Sequence, residues 1–153
     1  RDLHSFPTRR SSDLVFGDDF ITLIGTDRLE GIDVDLSAMP DTAQTLAAIA
    51  VFADGPSTLR GLRTLRVKET DRLAALQNEL TRLGATARID GDTLHITPPA
   101  AVKPAQIATY DDHRMAMSFA VVGTRASGIV IEDPQCVNKT YPQFFEDLEK
   151  LRA

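Results

Sequence analysis

LAAIAVFA, residues 46–53, carries no polar side chain on any face. MAMSFAVV, residues 115–122, carries one, Ser118. A surface helix keeps one stripe for water, and neither stretch has such a stripe. Both therefore read as helices buried all round. The chain outside them has a different rhythm. GIDVDL (31–36) sets Ile32, Val34 and Leu36 against Asp33 and Asp35, the alternation of a half-exposed strand. TARIDGDTLHIT (86–97) reads as two short strands joined at Asp90-Gly91-Asp92, where Gly accepts the positive φ of a tight hairpin turn. FITLIGT (20–26), STLRGL (57–62) and GIVIED (128–133) are further strands. Alternating strands leave one sheet face in water. Buried helices then belong inside and sheets outside, the reverse of a doubly wound fold. The expected class is α+β, with α/β-like mixed sheets around a helical centre.

Four helices are expected, over 41–53, 71–83, 112–124 and 142–151. The second has one leucine stripe (Leu73, Leu76, Leu80, Leu83) and stops at Gly84, a favoured residue just past a helix end. Thr140 and Gln143 have capping-box spacing ahead of the fourth, with Pro142 in its first turn.

The chain has 153 residues, 42% of them hydrophobic, enough for one domain with a core. A net charge of −5 argues against nucleic acid as a partner. The apolar runs are too short to span a bilayer, so no membrane role is expected. Cys136 is the single cysteine, which forbids an internal disulfide and fits a reducing cytoplasm. The leading RDLHSFPTRRSSDL (1–14) has no strand or helix period and no apolar core of a signal peptide. SFPTRRSSDL reads as the translation of a common sequencing adapter. The expectation is a foreign, disordered tail at 1–14, with the protein proper over 15–153.

The unusual polar residues cluster at helix starts. Asp41 opens the first helix, Lys68 and Glu69 precede the second, and Arg72 lies in its first turn. Asp112, His113 and Arg114 open the third, and Lys139 precedes the fourth. Free N–H groups and the positive dipole end make helix starts favourable places for anions. Each residue also has a plainer reading. Asp41 is an ordinary helix-start charge, Lys68 and Glu69 are surface residues, and Arg72 pairs with a neighbour such as Asp71. His113 is then a structural histidine, and Lys139 alone says nothing. If the helices run roughly parallel, the starts converge on one multiply charged anion. The three histidines show no metal-ligand spacing, so no metal is expected, and no nucleotide-binding glycine loop is present.

PDTAQTLA, LRVKETDRL, TYDDHRMAMSF and CVNKTYPQFF, in this order and spacing, closely resemble signatures of the 5-enolpyruvylshikimate-3-phosphate (EPSP) synthase family. The resemblance covers about Val15 to Leu151. It implies a fold of repeated βαβαββ units with helices packed inside, of which this chain is the C-terminal part. The implied reaction moves the enolpyruvyl group of phosphoenolpyruvate to the 5-hydroxyl of shikimate 3-phosphate and releases phosphate. This is a step toward chorismate and the aromatic amino acids in a bacterial-type cytoplasmic enzyme, monomeric at full length and without cofactor or metal. By residue match, Asp41 and Glu69 share the proton transfers. Lys68 holds shikimate 3-phosphate, Arg72 and Arg114 bind phosphoenolpyruvate, and Lys139 neutralises the departing phosphate. His113 orients a neighbour or bonds the intermediate. The family's other domain is missing, so the isolated chain is expected to be inactive. Two alternatives stand beside this reading: a UDP-N-acetylglucosamine enolpyruvyl transferase, and a non-catalytic anion-binding domain.

Overall fold

A computed structural model describes residues 13–25 and 28–151. It has eight strands and four α-helices among those residues: β1 (Asp13–Phe16), β2 (Ile21–Ile24), β3 (Asp33–Asp35), α1 (Ala43–Ala50), β4 (Ser57–Arg60), α2 (Arg72–Arg82), β5 (Thr86–Asp90), β6 (Thr93–Thr97), β7 (Ala105–Ile107), α3 (His113–Val122), β8 (Ile129–Ile131) and α4 (Phe144–Lys150). Short 3-10 turns precede α1 (Pro40–Thr42), α2 (Arg63–Val67) and α4 (Pro134–Lys139).

The four-stranded sheet has the order β3-β4-β6-β5. β3 and β4 are parallel, with α1 as their crossover, and β4–β6 and β5–β6 are antiparallel. The hairpin turns at Gly91, with φ +56, as the Asp-Gly pair implies. β7 and β8 repeat the plan as a parallel pair with α3 between them. Each unit then adds a 3-10 turn and a second helix, α2 or α4.

The two apolar-rich stretches lie mostly inside, but not on every side as expected: Leu46, Ile49, Phe52, Ala53 and Met117 are half-buried and Val121 is exposed. Ala47, Ala48, Ala50 and Val51 are buried, as are Met115, Ala116, Ser118, Phe119, Ala120 and Val122. Ser118 is satisfied by Thr45, whose hydroxyl lies 3.3 Å away. All four stripe leucines of α2 are fully buried against the sheet. Asp71 caps α2 by accepting from the Ala74 N–H at 3.0 Å, and Gly84 leaves the helix with φ +92.

Three expectations need correction. Asp13 and Leu14, assigned to the unstructured tail, pair with Ile24 and Leu23 in the β1–β2 hairpin, while 1–12 lie outside the described residues. The strand read over 20–26 is cut to Ile21–Ile24, and residues 26 and 27 lie outside the described residues. The capping box before α4 does not form. That helix begins at Phe144 with no side-chain cap, because 134–139 is already wound as a 3-10 turn. Edge-to-face contacts of Phe144 with Tyr141 and Phe145 fix its start instead.

Gly61 shows what the sheet end requires. Its φ is +75, and a Cβ there would overlap Ser37 Oγ. Gly61→Ala is expected to cost about 1–3 kcal/mol, from left-handed strain and overlap together. Urea unfolding of the chain measures this, and a loss below about 0.5 kcal/mol would show that the loop relaxes freely.

Candidate active site

Arg72 opens α2, yet its side chain is only 1% exposed. The leucine stripe pins α2 against the core, so its first residue points inward instead of to water. Four of the five guanidinium donors are engaged. Nε meets Asp112 Oδ2 at 2.6 Å and Nη2 meets Asp112 Oδ1 at 3.1 Å, a bidentate pair. Nη1 meets Asp41 at 3.0 Å, and Nη2 also meets Glu69 at 2.7 Å. Gln44, fully buried on α1, completes the setting. With its amide nitrogen toward the Asp41 carbonyl (3.2 Å), its oxygen lies 2.9 Å from Arg72 Nε.

Asp112 is fully buried and joins two helices. Besides Arg72 it accepts from the Arg114 N–H at 2.9 Å, which caps α3. Burial pushes its carboxyl up, but the hydrogen bonds and charge of Arg72, with the Arg114 N–H, outweigh this and leave it below the usual carboxylate range. The plainer reading that paired Arg72 with Asp71 fails, because Asp71 caps its own helix and faces Arg66 at 3.6 Å.

The other candidates gather around this pair. Lys68 lies 3.4 Å from Asp41, and Arg114 Nη2 lies 3.6 Å from the other Asp41 oxygen. Lys139 Nζ donates to the Asp111 carbonyl at 3.3 Å. His113 is nearly buried, and its Nδ1 has no hydrogen-bond partner, alone in this among the buried side-chain polar atoms of the described residues. Burial lowers its pKa, against the opposing fields of Asp112 and Glu69, which favours the neutral ring. Beside His113, a cavity of about 160 Å³ is lined by Asp41, Thr45, Arg114, Met117, Ser118 and Thr140. A larger one, about 540 Å³, opens at the far ends of α1 and α3 and contains none of the candidates.

The structure thus brings all seven candidate residues to one end of the domain. Four cations (Lys68, Arg72, Arg114, Lys139) stand against three carboxylates (Asp41, Glu69, Asp112). Lys68, Asp41, Glu69 and Arg114 remain about a third or more exposed, so a ligand can reach them. No group of three or more His, Cys, Asp or Glu among the described residues is disposed to hold a metal ion. The guanidinium of Arg72 already fills the centre of the carboxylates. Asp112 and Gln44 were not singled out as site residues from the sequence. Asp112 was visible as the residue opening α3, but its partner lies forty residues away in the chain.

The fold and this charged end define an enolpyruvyl transferase-type domain. The chain superposes on the EPSP synthase of Acinetobacter baumannii with a TM-score of 0.82 and 27% identity, covering 92% of this chain and 36% of that one. It also superposes on the enolpyruvyl transferase NikO from Streptomyces tendae with a TM-score of 0.69 and 19% identity, covering 94% and 33%. Residues 12–148 match the model of the family EPSP synthase (3-phosphoshikimate 1-carboxyvinyltransferase), and the chain belongs to that family. A 3-phosphoshikimate 1-carboxyvinyltransferase of Serratia proteamaculans is 46% identical over 138 residues, 90% of this chain and 32% of the relative. The chain spans a quarter to a third of the length of the first curated relatives it matches. The family match starts at residue 12 and β1 at Asp13, both ahead of the boundary expected at Val15. No helix among the described residues is long and apolar enough to cross a membrane.

Proposed function

We propose that the chain is the C-terminal part of a cytoplasmic, monomeric 3-phosphoshikimate 1-carboxyvinyltransferase. In that enzyme it would supply one wall of the site for shikimate 3-phosphate and phosphoenolpyruvate. The observation that supports this reading is the convergence of three helix starts and Lys139 on the Arg72 cluster. The reaction needs no redox or metal chemistry. The 5-hydroxyl oxygen bonds C2 of phosphoenolpyruvate, losing its proton, while C3 gains one. The C2–O bond to phosphate then breaks as C3 gives a proton back, leaving the enol ether and inorganic phosphate.

Asp41 and Glu69 are the carboxylates free enough to move these protons, since Asp112 is sealed against Arg72. Lys68, beside Asp41, holds shikimate 3-phosphate near that base. Arg114 and Lys139 receive the phosphoenolpyruvate end. Arg72 joins them by exchange, because its donors are already occupied. The ligand's carboxylate would replace Glu69 or Asp41 on the guanidinium and so release a carboxylate at the reacting carbons. His113, with Nδ1 unpaired, bonds the intermediate or a water beside it.

The test is to complete residues 15–151 with the N-terminal part of the Serratia relative and assay two acceptors, shikimate 3-phosphate and UDP-N-acetylglucosamine. Turnover of the amino-sugar nucleotide alone would overturn the reading, and binding of phosphoenolpyruvate without turnover of either would leave a non-catalytic domain. In the completed enzyme Arg114→Ala is expected to lose about 2 kcal/mol in kcat/KM, the low end for an anion partner, because the side chain is 43% exposed. A change below about 0.5 kcal/mol would put Arg114 outside the site. The leading tail stays a proposal of its own: the genomic DNA upstream of the Val15 codon should run on in frame through a family N-terminal half, and continuation of the tail sequence there would refute the adapter reading.

A further inference from the structure

Arg72 and Glu79 lie seven residues apart on α2, about two turns, and so share a face. Both are buried, and both hold the same short segment, 108–112. At one end Arg72 takes Asp112. At the other, Glu79 Oε1 accepts from the Tyr110 hydroxyl at 2.7 Å, and Oε2 accepts from the Ala108 N–H at 3.2 Å. Arg82 lies 3.6 Å from the same carboxylate, and Asn78 reaches the phenol oxygen at 3.5 Å. None of Glu79, Tyr110, Arg82 and Asn78 is a candidate site residue.

Between the two grips the backbone is left-handed at consecutive non-glycine positions, Tyr110 with φ +58 and Asp111 with φ +53. A bulky aromatic residue stays there only when its surroundings over-determine it. The turn leads straight into Asp112, His113 and Arg114, and its Asp111 carbonyl is the group that receives Lys139. The strained turn therefore sets the height of the α3 start and the seat of the Lys139 ammonium. Lys68 and Asp41 hang on other segments, before α2 and α1.

We propose that Glu79 and Tyr110 are a positioning pair, which clamps the left-handed Tyr110–Asp111 turn onto α2 and so places Arg114, Asp112 with its Arg72, and Lys139 for the phosphoenolpyruvate end of the ligand. The role rests on the substrate reading given above. The clamp itself does not, and the experiment separates the two.

The first measurement is amide hydrogen exchange on the 153-residue chain, unmodified and as Tyr110→Phe or Glu79→Leu, which removes the acceptor from its buried place on the leucine face. Exchange at Asp112 and Arg114 should speed up by about tenfold, the loss of one hydrogen bond, while Ala75 in the body of α2 stays unchanged. Unchanged exchange at Asp112 and Arg114, or equal acceleration at Ala75, overturns the clamp. The second is kinetics in the completed enzyme. Each variant should raise KM for phosphoenolpyruvate about tenfold and leave KM for shikimate 3-phosphate within about twofold, and the double variant should match the worse single one because both remove the shared Glu79–Tyr110 bond. Equal movement of both KM values, or of neither, overturns the positioning role. An unmodified completed enzyme without activity sinks the substrate reading and the positioning role with it, while the exchange comparison still decides on the clamp.

Discussion

Glu69→Gln in the completed enzyme is expected to lower kcat by about 10²–10⁴-fold, the usual worth of one positioned acid/base group. The substitution keeps the shape of the side chain. Its amide oxygen can still accept from Arg72 Nη2, now 2.7 Å from the carboxylate, so binding should change little. What the amide cannot do is give C3 of phosphoenolpyruvate a proton and take it back. The loss should therefore fall on kcat, with both KM values within about threefold, the pattern of an interaction made only in the transition state. Entry of solvent deuterium at C3 reports the proton step directly and should fall in parallel. Unchanged turnover would remove Glu69 from the proton path and leave Asp41 to carry it alone.

Asp112→Ala is the largest effect expected on stability, about 3–5 kcal/mol, because it strips the bidentate partner from a buried guanidinium. About 1 kcal/mol of this is the lost cap of α3. Asp112→Asn keeps the cap but not the charge and should cost less. The pH dependence gives the argument its sign. The folded pKa of Asp112 lies below its unfolded value, so the stability it contributes is present above about pH 4 and is lost as pH falls through the folded pKa. Urea unfolding at pH 6 and pH 3 should show the difference between the unmodified chain and Asp112→Asn shrinking toward zero in acid. A difference constant across that range would mean the carboxylate is not ionised against Arg72.

Most of the frame was legible in the chain because each feature was local. Apolar residues on nearly every side of 46–53 and 115–122 favour burial of most of each helix, although Val121 stays exposed, and alternation with an Asp-Gly turn leaves β5 and β6 little choice. β7 was missed for the opposite reason. Ala105–Ile107 is three residues after a proline, too short for a period to show. β1 was hidden by the reading of 1–14 as a foreign tail. The 3-10 turns have no period of their own, and one of them displaced the expected start of α4. For the site, the residues that crowd helix starts could be picked out, but not what each would touch. Arg72 finds Asp112 and Glu79 finds Tyr110 across folded distance, and nothing in either neighbourhood announces the partner. The buried Glu79 was the clue available, a carboxylate placed on the leucine side of α2.

The two units carry their charges at matching places. Asp41 precedes the buried helix of the first as Arg114 opens that of the second, and Lys68, Glu69 and Arg72 stand at the first unit's second helix where Lys139 stands at the other's. A gene that grows by copying such a cassette copies a strip of charged wall with every round. Divergence then has only to trade acid for base at a fixed address, so new chemistry can arise without any new architecture.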